Sequence, residues 1–385
     1  MNDHLAAVEV ETAVEAARPS LASVARLALW LGLTGFGGGY AVLAQLRMAV
    51  VDRRRWLTRE EYSDLVSVSQ SLPGAPAANF FTHLGLRAAG IGGALLATAL
   101  FSAPSATLLV ALGVSYEHLR GLAQVEALFA GMNPALVGII AAVAWNLGRA
   151  GRRPHELLFA GAAAAAIDFD LLDIFQLVLL TVTATAVISV LRRRGPGRAP
   201  MMMWLPLSGV GLLPKLGWVF LRIGAVSFGG GLAMIPMIDH DLVGRLHWLL
   251  PGEFSDAITL GQITPGPVAI TATFVGYRVA GLGGAMLSTV AVFLPAFASN
   301  VVAGRSLAAF RNSPFVRDIL DALGPLVLGM VVAALISLAR ATVHGYQDAL
   351  VAGGGAIALI VFDAPALLVL AVAVLVHAVT GYWRH

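Results

Sequence analysis

The sequence predicts an all-α polytopic membrane protein built from two homologous halves, and three observations carry that expectation. Hydrophobic residues are 58% of the 385 and charged residues only 12%, with a mean hydropathy of +0.81, whereas soluble domains carry about 25% charged residues. Apolar runs of about 20 residues recur along the chain, the length that crosses a hydrocarbon core about 30 Å thick. A long set of identities also recurs at half the chain length, and such a period has to be found before a fold is assigned.

Residues 1–21 form a polar segment with Asp3, Glu9, Glu11 and Glu15; with no basic start and no apolar core, it is not expected to be a cleaved signal peptide. The first transmembrane repeat spans 22–191, a linker 192–214, and the second repeat 215–385. The linker opens with a basic, Pro/Gly-rich stretch from Arg192 to Pro200. In the first repeat an apolar helix over about 22–34 stops at three glycines and continues, amphipathic, to about 51. A helix over about 58–72 ends at Pro73-Gly74, and a shorter one runs from near Pro76 to about 89. Longer apolar segments follow near 91–116, 123–148, 155–168 and 171–191, giving about five crossings per half and about ten in all.

The repeat is read from Phe36-Gly37-Gly38-Gly39, which returns as Phe228-Gly229-Gly230-Gly231 at an offset of 192 residues. The same offset carries Trp56, Glu61, Ser63-Asp64, Gln70 and Pro73-Gly74 to Trp248, Glu253, Ser255-Asp256, Gln262 and Pro265-Gly266. After one deletion the offset becomes 191 and links Gly85, Arg87, Gly90, Pro104, Pro134 and Gly138 to Gly276, Arg278, Gly281, Pro295, Pro325 and Gly329. Arginine placement alternates between the halves. The first inter-helix loop is basic in the first repeat (Arg47, Arg53, Arg54, Arg55, Arg59) against Arg245 in the second. The next holds Arg120 against Arg305, Arg311 and Arg317, and the one after Arg149, Arg152 and Arg153 against Arg340. Cytoplasmic loops collect Arg and Lys, so the alternation predicts halves of opposite orientation, an inverted-topology repeat with broken or re-entrant helices.

Three glycines inside a membrane helix each cost about 1 kcal/mol relative to Ala, and freed backbone groups need partners within protein or a watery cavity. Matched breaks in two halves point to a transport site. A helix starting at a break offers unpaired N–H groups and a positive dipole end, so the expected guest is an anion near the membrane midplane. Its expected contacts are Gly37, Gly38, Gly39, Gln70, Gly74, Asn79 and Arg87 from the first repeat, and Gly229, Gly230, Gly231, Gln262, Gly266, Thr271 and Arg278 from the second. Thr82 and Thr273 are further neutral donors. Arg87 and Arg278 suit paired hydrogen bonds to an oxyanion and equally suit interfacial anchors that snorkel to headgroups. Gly92-Gly93, Gly283-Gly284, Pro104 and Pro295 read as packing and kink residues. Among the acids, Glu61, Asp64, Glu253 and Asp256 are candidates for a coupling proton, though their place near helix starts favours capping.

Net charge is +3 with the basic residues between apolar runs, a topology signal rather than a nucleic-acid footprint. The absence of Cys excludes disulfides and thiolate metal sites. The His residues lack metal-ligand spacing, no nucleophile and base recur together, and no phosphate-binding G-x-x-x-x-G-K-[ST] loop occurs, so neither an enzyme, a cofactor nor direct use of ATP is expected. A channel with a continuous pore stays open as a reading.

The F-G-G-G motifs, Pro265-Gly266-Pro267, and Gly276-Tyr277-Arg278 with Ala280-Gly281 resemble the chromate ion transporter family over about residues 25–340. The first repeat departs from that pattern at Pro73-Gly74-Ala75-Pro76 and Gly85-Leu86-Arg87. The resemblance implies export of chromate from the cytoplasm across a bacterial inner membrane, energised by the membrane gradient and linked to chromate resistance. Sulfate, also a tetrahedral dianion, is an alternative cargo. The expected partners are that anion and the lipid bilayer, with no nucleic acid; a homodimer is compatible with such a chain.

Overall fold

The computed structural model describes residues 19–36, 38–149, 153–169, 174–193, 211–228, 234–304, 314–362 and 364–382. The polar start, Gly37, Gly229, Gly230, Gly231, Arg152, Arg305, Arg311 and most of the linker lie outside the described residues. The described chain holds fourteen α-helices and no strand. In the first repeat these are α1 (Leu21–Thr34), α2 (Gly38–Arg47), α3 (Arg59–Ser71), α4 (Pro76–Leu119), α5 (Ala123–Gly148), α6 (Pro154–Asp168) and α7 (Ile174–Arg193). The second has α8 (Leu212–Val226), α9 (Met234–Ile238), α10 (Pro251–Ile263), α11 (Thr271–Gly304), α12 (Pro314–Thr342), α13 (Tyr346–Phe362) and α14 (Ala366–Tyr382). α2 and α9 each widen into a π-helical segment, Met48–Arg53 and Asp239–Arg245.

The duplication is written into the backbone as well as the sequence. Positive φ angles come in pairs at the repeat offsets: Arg55 and His247, Gly74 and Gly266, Gly90 and Gly281. The segments 76–89 and 91–116, expected as separate helices, are two arms of α4: Ala89 and Gly90 leave helical geometry and the chain reverses there, so that Gly85 abuts Gly93 and Thr82 reaches Thr98, and Ala280 and Gly281 reverse α11 the same way, with Gly276 against Gly284. A glycine at φ near +60° permits the reversal, and small residues on both arms let them pack closely.

The halves are inverted. Arg278, beside the reversal that begins the long arm of α11, pairs at 2.5 Å with Glu117 at the end of the long arm of α4, and a Cβ on Gly304, at the end of the long arm of α11, would lie 2.7 Å from Leu86 beside the reversal of α4. The two equivalent helices therefore run antiparallel, which places the pseudo-two-fold axis across them rather than along them. The halves also interlock: α5 packs on α13 and α14 of the second repeat, while α12 packs on α6 and α7 of the first. Gly138 on α5 faces the backbone of Ala352 and Ala356, and Gly329 on α12 faces that of Ala160 and Ala164, the close approach that small residues give membrane helices.

Four helices are long and apolar enough to cross a membrane: Pro76–Leu119, Ala123–Gly148, Val268–Gly304 and Asp321–Thr342. α6, with 15 residues, rises only about 22 Å at 1.5 Å per residue. Large apolar side chains such as Leu95, Leu282, Met286, Val290 and Leu294 stand exposed along α4 and α11, an outer surface suited to lipid. The chain is a multi-pass membrane protein.

Candidate anion site and its flanking ion pairs

Each repeat breaks twice, and the structure brings the breaks together across the halves. The turn after α3 needs φ +97° at Gly74, and its counterpart +98° at Gly266, a region that side chains with a Cβ rarely enter. The Gly74 N–H donates to the Ser227 carbonyl at 2.7 Å, and the Gly266 N–H donates to the Gly35 carbonyl at 2.9 Å. Ser227 and Gly35 each stand immediately before an F-G-G-G motif. The Pro-Gly turn of one half thus docks on the residue that precedes the glycine motif of the other, the start of α4 beside the end of α8 and the start of α11 beside the end of α1.

Side chains seal both crossings. The Asn79 amide donates to the carbonyls of Ser69 (2.9 Å) and Pro73 (3.0 Å), pinning the first turn; the Thr271 hydroxyl donates to Val268 at 2.9 Å, and Ser105 donates to the Pro265 carbonyl. Thr82 bonds Thr98 at 2.8 Å and Thr273 bonds Thr289 at 2.6 Å, a matched pair of ties around the α4 and α11 bends. Two buried donors beside the crossings, the Ser227 hydroxyl and the Gln262 amide nitrogen, have no partner among the described residues. Leaving a buried polar group unpaired costs about 1–3 kcal/mol, and an anion would relieve it. Gln70 is half-buried at the equivalent position. Gly38 and Gly39 open α2.

The matched acids and arginines pair with one another. Glu61 accepts from the Thr58 N–H as part of a capping box and from Arg87 at 3.0 Å. Glu253 accepts from the Leu250 N–H at 3.1 Å, Arg278 at 2.8 Å and Arg120 at 3.0 Å. Burial raises the Glu253 carboxyl, but that N–H and the two guanidiniums outweigh it and hold it below the ordinary Glu range. Around Glu253 the pairing grows into a network between the halves: Arg278 lies over the Tyr116 ring, Tyr116 donates to Asp256, Asn133 donates to Asp256 at 3.1 Å, and Thr259 donates to Asn133 at 2.7 Å. α10 is buried from Glu253 to Gly261 and packs on α5 and α12, while α3 buries only Leu65, Val68 and Ser69 and packs chiefly on α4. Asp64 is half-buried.

Reading the repeat identified none of Tyr116, Glu117 or Asn133, because their counterparts Leu307, Ala308 and Gly324 share nothing with them. It also passed over Arg222, which forms a buried ion pair with Asp241; a charge inside the apolar run of α8 was the available signal. Removing one partner of such a pair costs about 3–5 kcal/mol. Arg222→Met is therefore expected to lower thermal stability in detergent sharply, and Arg222→Met with Asp241→Leu to restore most of it; equal instability in both variants would contradict the pairing.

The sequence profile of the chromate transporter family matches residues 22–210 and 214–378, one copy on each repeat. The chain belongs to the chromate transporter family. It is 31% identical to the chromate transport protein of Cupriavidus metallidurans over 84% of each chain. Against the chromate transport protein of Pseudomonas aeruginosa it is 31% identical, over 82% of this chain and 80% of that one. The probable chromate transport protein of Synechococcus elongatus is 29% identical over 89% of each. No solved structure matches this chain. In this transporter the crossings involve the motifs that carried the family resemblance, Pro265-Gly266-Pro267 and the segments around F-G-G-G, while Arg278 of the G-Y-R segment belongs to the ion-pair network.

Proposed function

We propose that this chain is a secondary transporter that exports chromate from the cytoplasm of a bacterial cell through its inner membrane, driven by the membrane gradient. The reciprocal bonds from Gly74 to Ser227 and from Gly266 to Gly35 carry this reading. They bring the starts of α4 and α11 to the residues that precede the glycine motifs, at the interface of two inverted halves, where positive dipole ends and unpaired N–H groups suit a dianion. The anion contacts are the glycines of both F-G-G-G stretches, Gly74 and Gly266, with Gln262, Ser227 and Gln70 as side-chain donors. Asn79 and Thr271 hold the turns, and Arg87 and Arg278 act from the flanks.

Arg47, Arg53, Arg54 and Arg55 precede α3 and Arg59 begins it, at the Arg87 end of the molecule, and α11 ends on that side at Gly304, beside Leu86; in the sequence Arg305, Arg311 and Arg317 come next. That side is cytoplasmic by the positive-inside rule. The Arg278 side is then extracytoplasmic and is shut by the network around Glu253, so the conformation is one that loads from the cytoplasm. Exchange of packing between α3 and α10 gives alternating access.

The test is flux into proteoliposomes of the purified protein with chromate, sulfate, molybdate and phosphate in competition, with and without an imposed gradient. Saturable, gradient-driven chromate accumulation inhibited by sulfate is expected. Downhill flux alone would make the protein a channel, and accumulation of sulfate with no effect of chromate would change the cargo.

A further inference from the structure

Beyond the crossings, the structure contains a polar cavity of about 880 Å³ between α6, α12, the start of α10 and the π-helical segment that follows α9. Pro251 and Arg245 line it, so it lies on the Arg278 side of the molecule. On its wall, Asp239 accepts a hydrogen bond from the Ser337 hydroxyl of α12. We propose that Asp239 is the site at which this transporter binds the coupling proton, loaded from the extracytoplasmic side through that cavity.

Four features support it. Asp239 is half-buried and its carboxylate is held by a neutral hydroxyl, in contrast to Asp168, which Arg340 grips at 2.7 and 3.0 Å, and to Glu61 and Glu253, which arginines hold. The groups around it are His240 and Arg245 on the same π-helical segment, Asp168 at the end of α6, and Arg340 and His344 from α12; Arg245 also lies 3.8 Å from Asp241. A hydroxyl donor and a single carboxylate are a proton's ligand set, whereas a metal cation needs several oxygens, and no group of three or more metal-ligating side chains occurs among the described residues. Finally, Asp239 begins the π-helical segment one short helix beyond the second F-G-G-G, and π-turns inside helices often mark functional sites. Protonation removes the charge to which Ser337 donates, loosening α9 and the π-helical segment from α12. The equivalent position in the first repeat is Arg47, which leaves one such site per chain.

This inference rests on the export reading above, and its test separates the two. In proteoliposomes, chromate exchange without any gradient reports the anion site, whereas pH-gradient-driven accumulation with a pH-sensitive dye reports proton movement. Asp239→Asn is expected to keep exchange within about twofold of the parent and to lose about tenfold or more of the gradient-driven accumulation, the scale of a typical coupling energy. Ser337→Ala, the milder change, removes a donor to the charged form and is expected to move the pH midpoint of accumulation upward. A protonated-carboxyl infrared band that titrates in the parent is expected to vanish in Asp239→Asn. Parent-like coupling in Asp239→Asn overturns the site, as does loss of exchange together with accumulation. A parent protein that exchanges chromate but ignores the pH gradient overturns the proton while leaving the anion site standing. If Asp239→Asn does not fold, an unmoved midpoint in Ser337→Ala overturns the site.

Discussion

Gly74→Ala is expected to abolish chromate flux, and Gly266→Ala to reduce it less. Both residues sit at φ near +98°, where a Cβ costs about 1–2 kcal/mol before any clash. The neighbours then decide the difference. A Cβ on Gly74 would lie 2.5 Å from the Ala296 Cβ, an atom fixed to the α11 backbone, so the crossing itself has to open. A Cβ on Gly266 meets the Ser105 hydroxyl instead, which can rotate away by giving up its bond to Pro265. Opening the crossing separates the Gly74 N–H from the Ser227 carbonyl and moves the start of α4 from the end of α8, and a displacement of about 1 Å at a positioning element is enough to cost about 100-fold in rate. Flux in proteoliposomes, normalised to protein that elutes as a single species from a sizing column in detergent, checks the order. Equal flux in Gly74→Ala and the parent would mean that the crossing does not position the anion site.

The same crossing shows what the sequence can convey. A turn that requires φ near +98° leaves a glycine in both copies, and a bend at φ near +60° leaves another, so Gly74, Gly266, Gly90 and Gly281 are visible as repeated identities. Arg55 and His247 adopt φ +52° and +51° at equivalent positions, yet no residue type marks them, because the surrounding bonds from Trp56 to Val50 and from Trp248 to Leu242, both 2.7 Å, impose the geometry. Reciprocal docking was not legible either, since nothing in F-G-G-G states which half supplies its partner. Arg87 and Arg278 stood out as matched cations, but the identity of their partners depends on how α3 and α10 fold back, a long-range fact. The network around Glu253 was least legible of all, for it joins residues of both halves, and Tyr116, Glu117 and Asn133 have no matching residue types at the repeat offset.

That asymmetry makes Arg278→Ala the sharpest test of how the protein moves. Arg278 bonds Glu253 in a largely buried setting and Glu117 at the surface, with side-chain exposures of 15% for the arginine, 10% for Glu253 and 67% for Glu117. A hydrogen bond to a buried charge contributes about 1.5–3 kcal/mol, and the exposed contact adds little. Losing the buried contact alone is expected to shift the balance between closed and open by about tenfold or more, since 1.4 kcal/mol is a factor of ten. The equivalent pair, Arg87 with Glu61, is 37% and 39% exposed, which limits it to about 1 kcal/mol or less. The chain contains no Cys, so one thiol introduced as Ser255→Cys, at a buried position on α10, reports opening without background. In that setting Arg278→Ala is expected to speed labelling by a membrane-impermeant maleimide from the extracytoplasmic side about tenfold, and Arg87→Ala to leave it near the parent rate. Equal labelling in the two variants would show that the polar network does not hold the extracytoplasmic side shut. Faster labelling in Arg278→Ala alone would instead tie the resting conformation to residues the second half does not share with the first: Tyr116, Glu117 and Asn133 can be recruited by α10 and have no counterparts for α3, so the closed extracytoplasmic side is favoured by the chain itself before any anion binds.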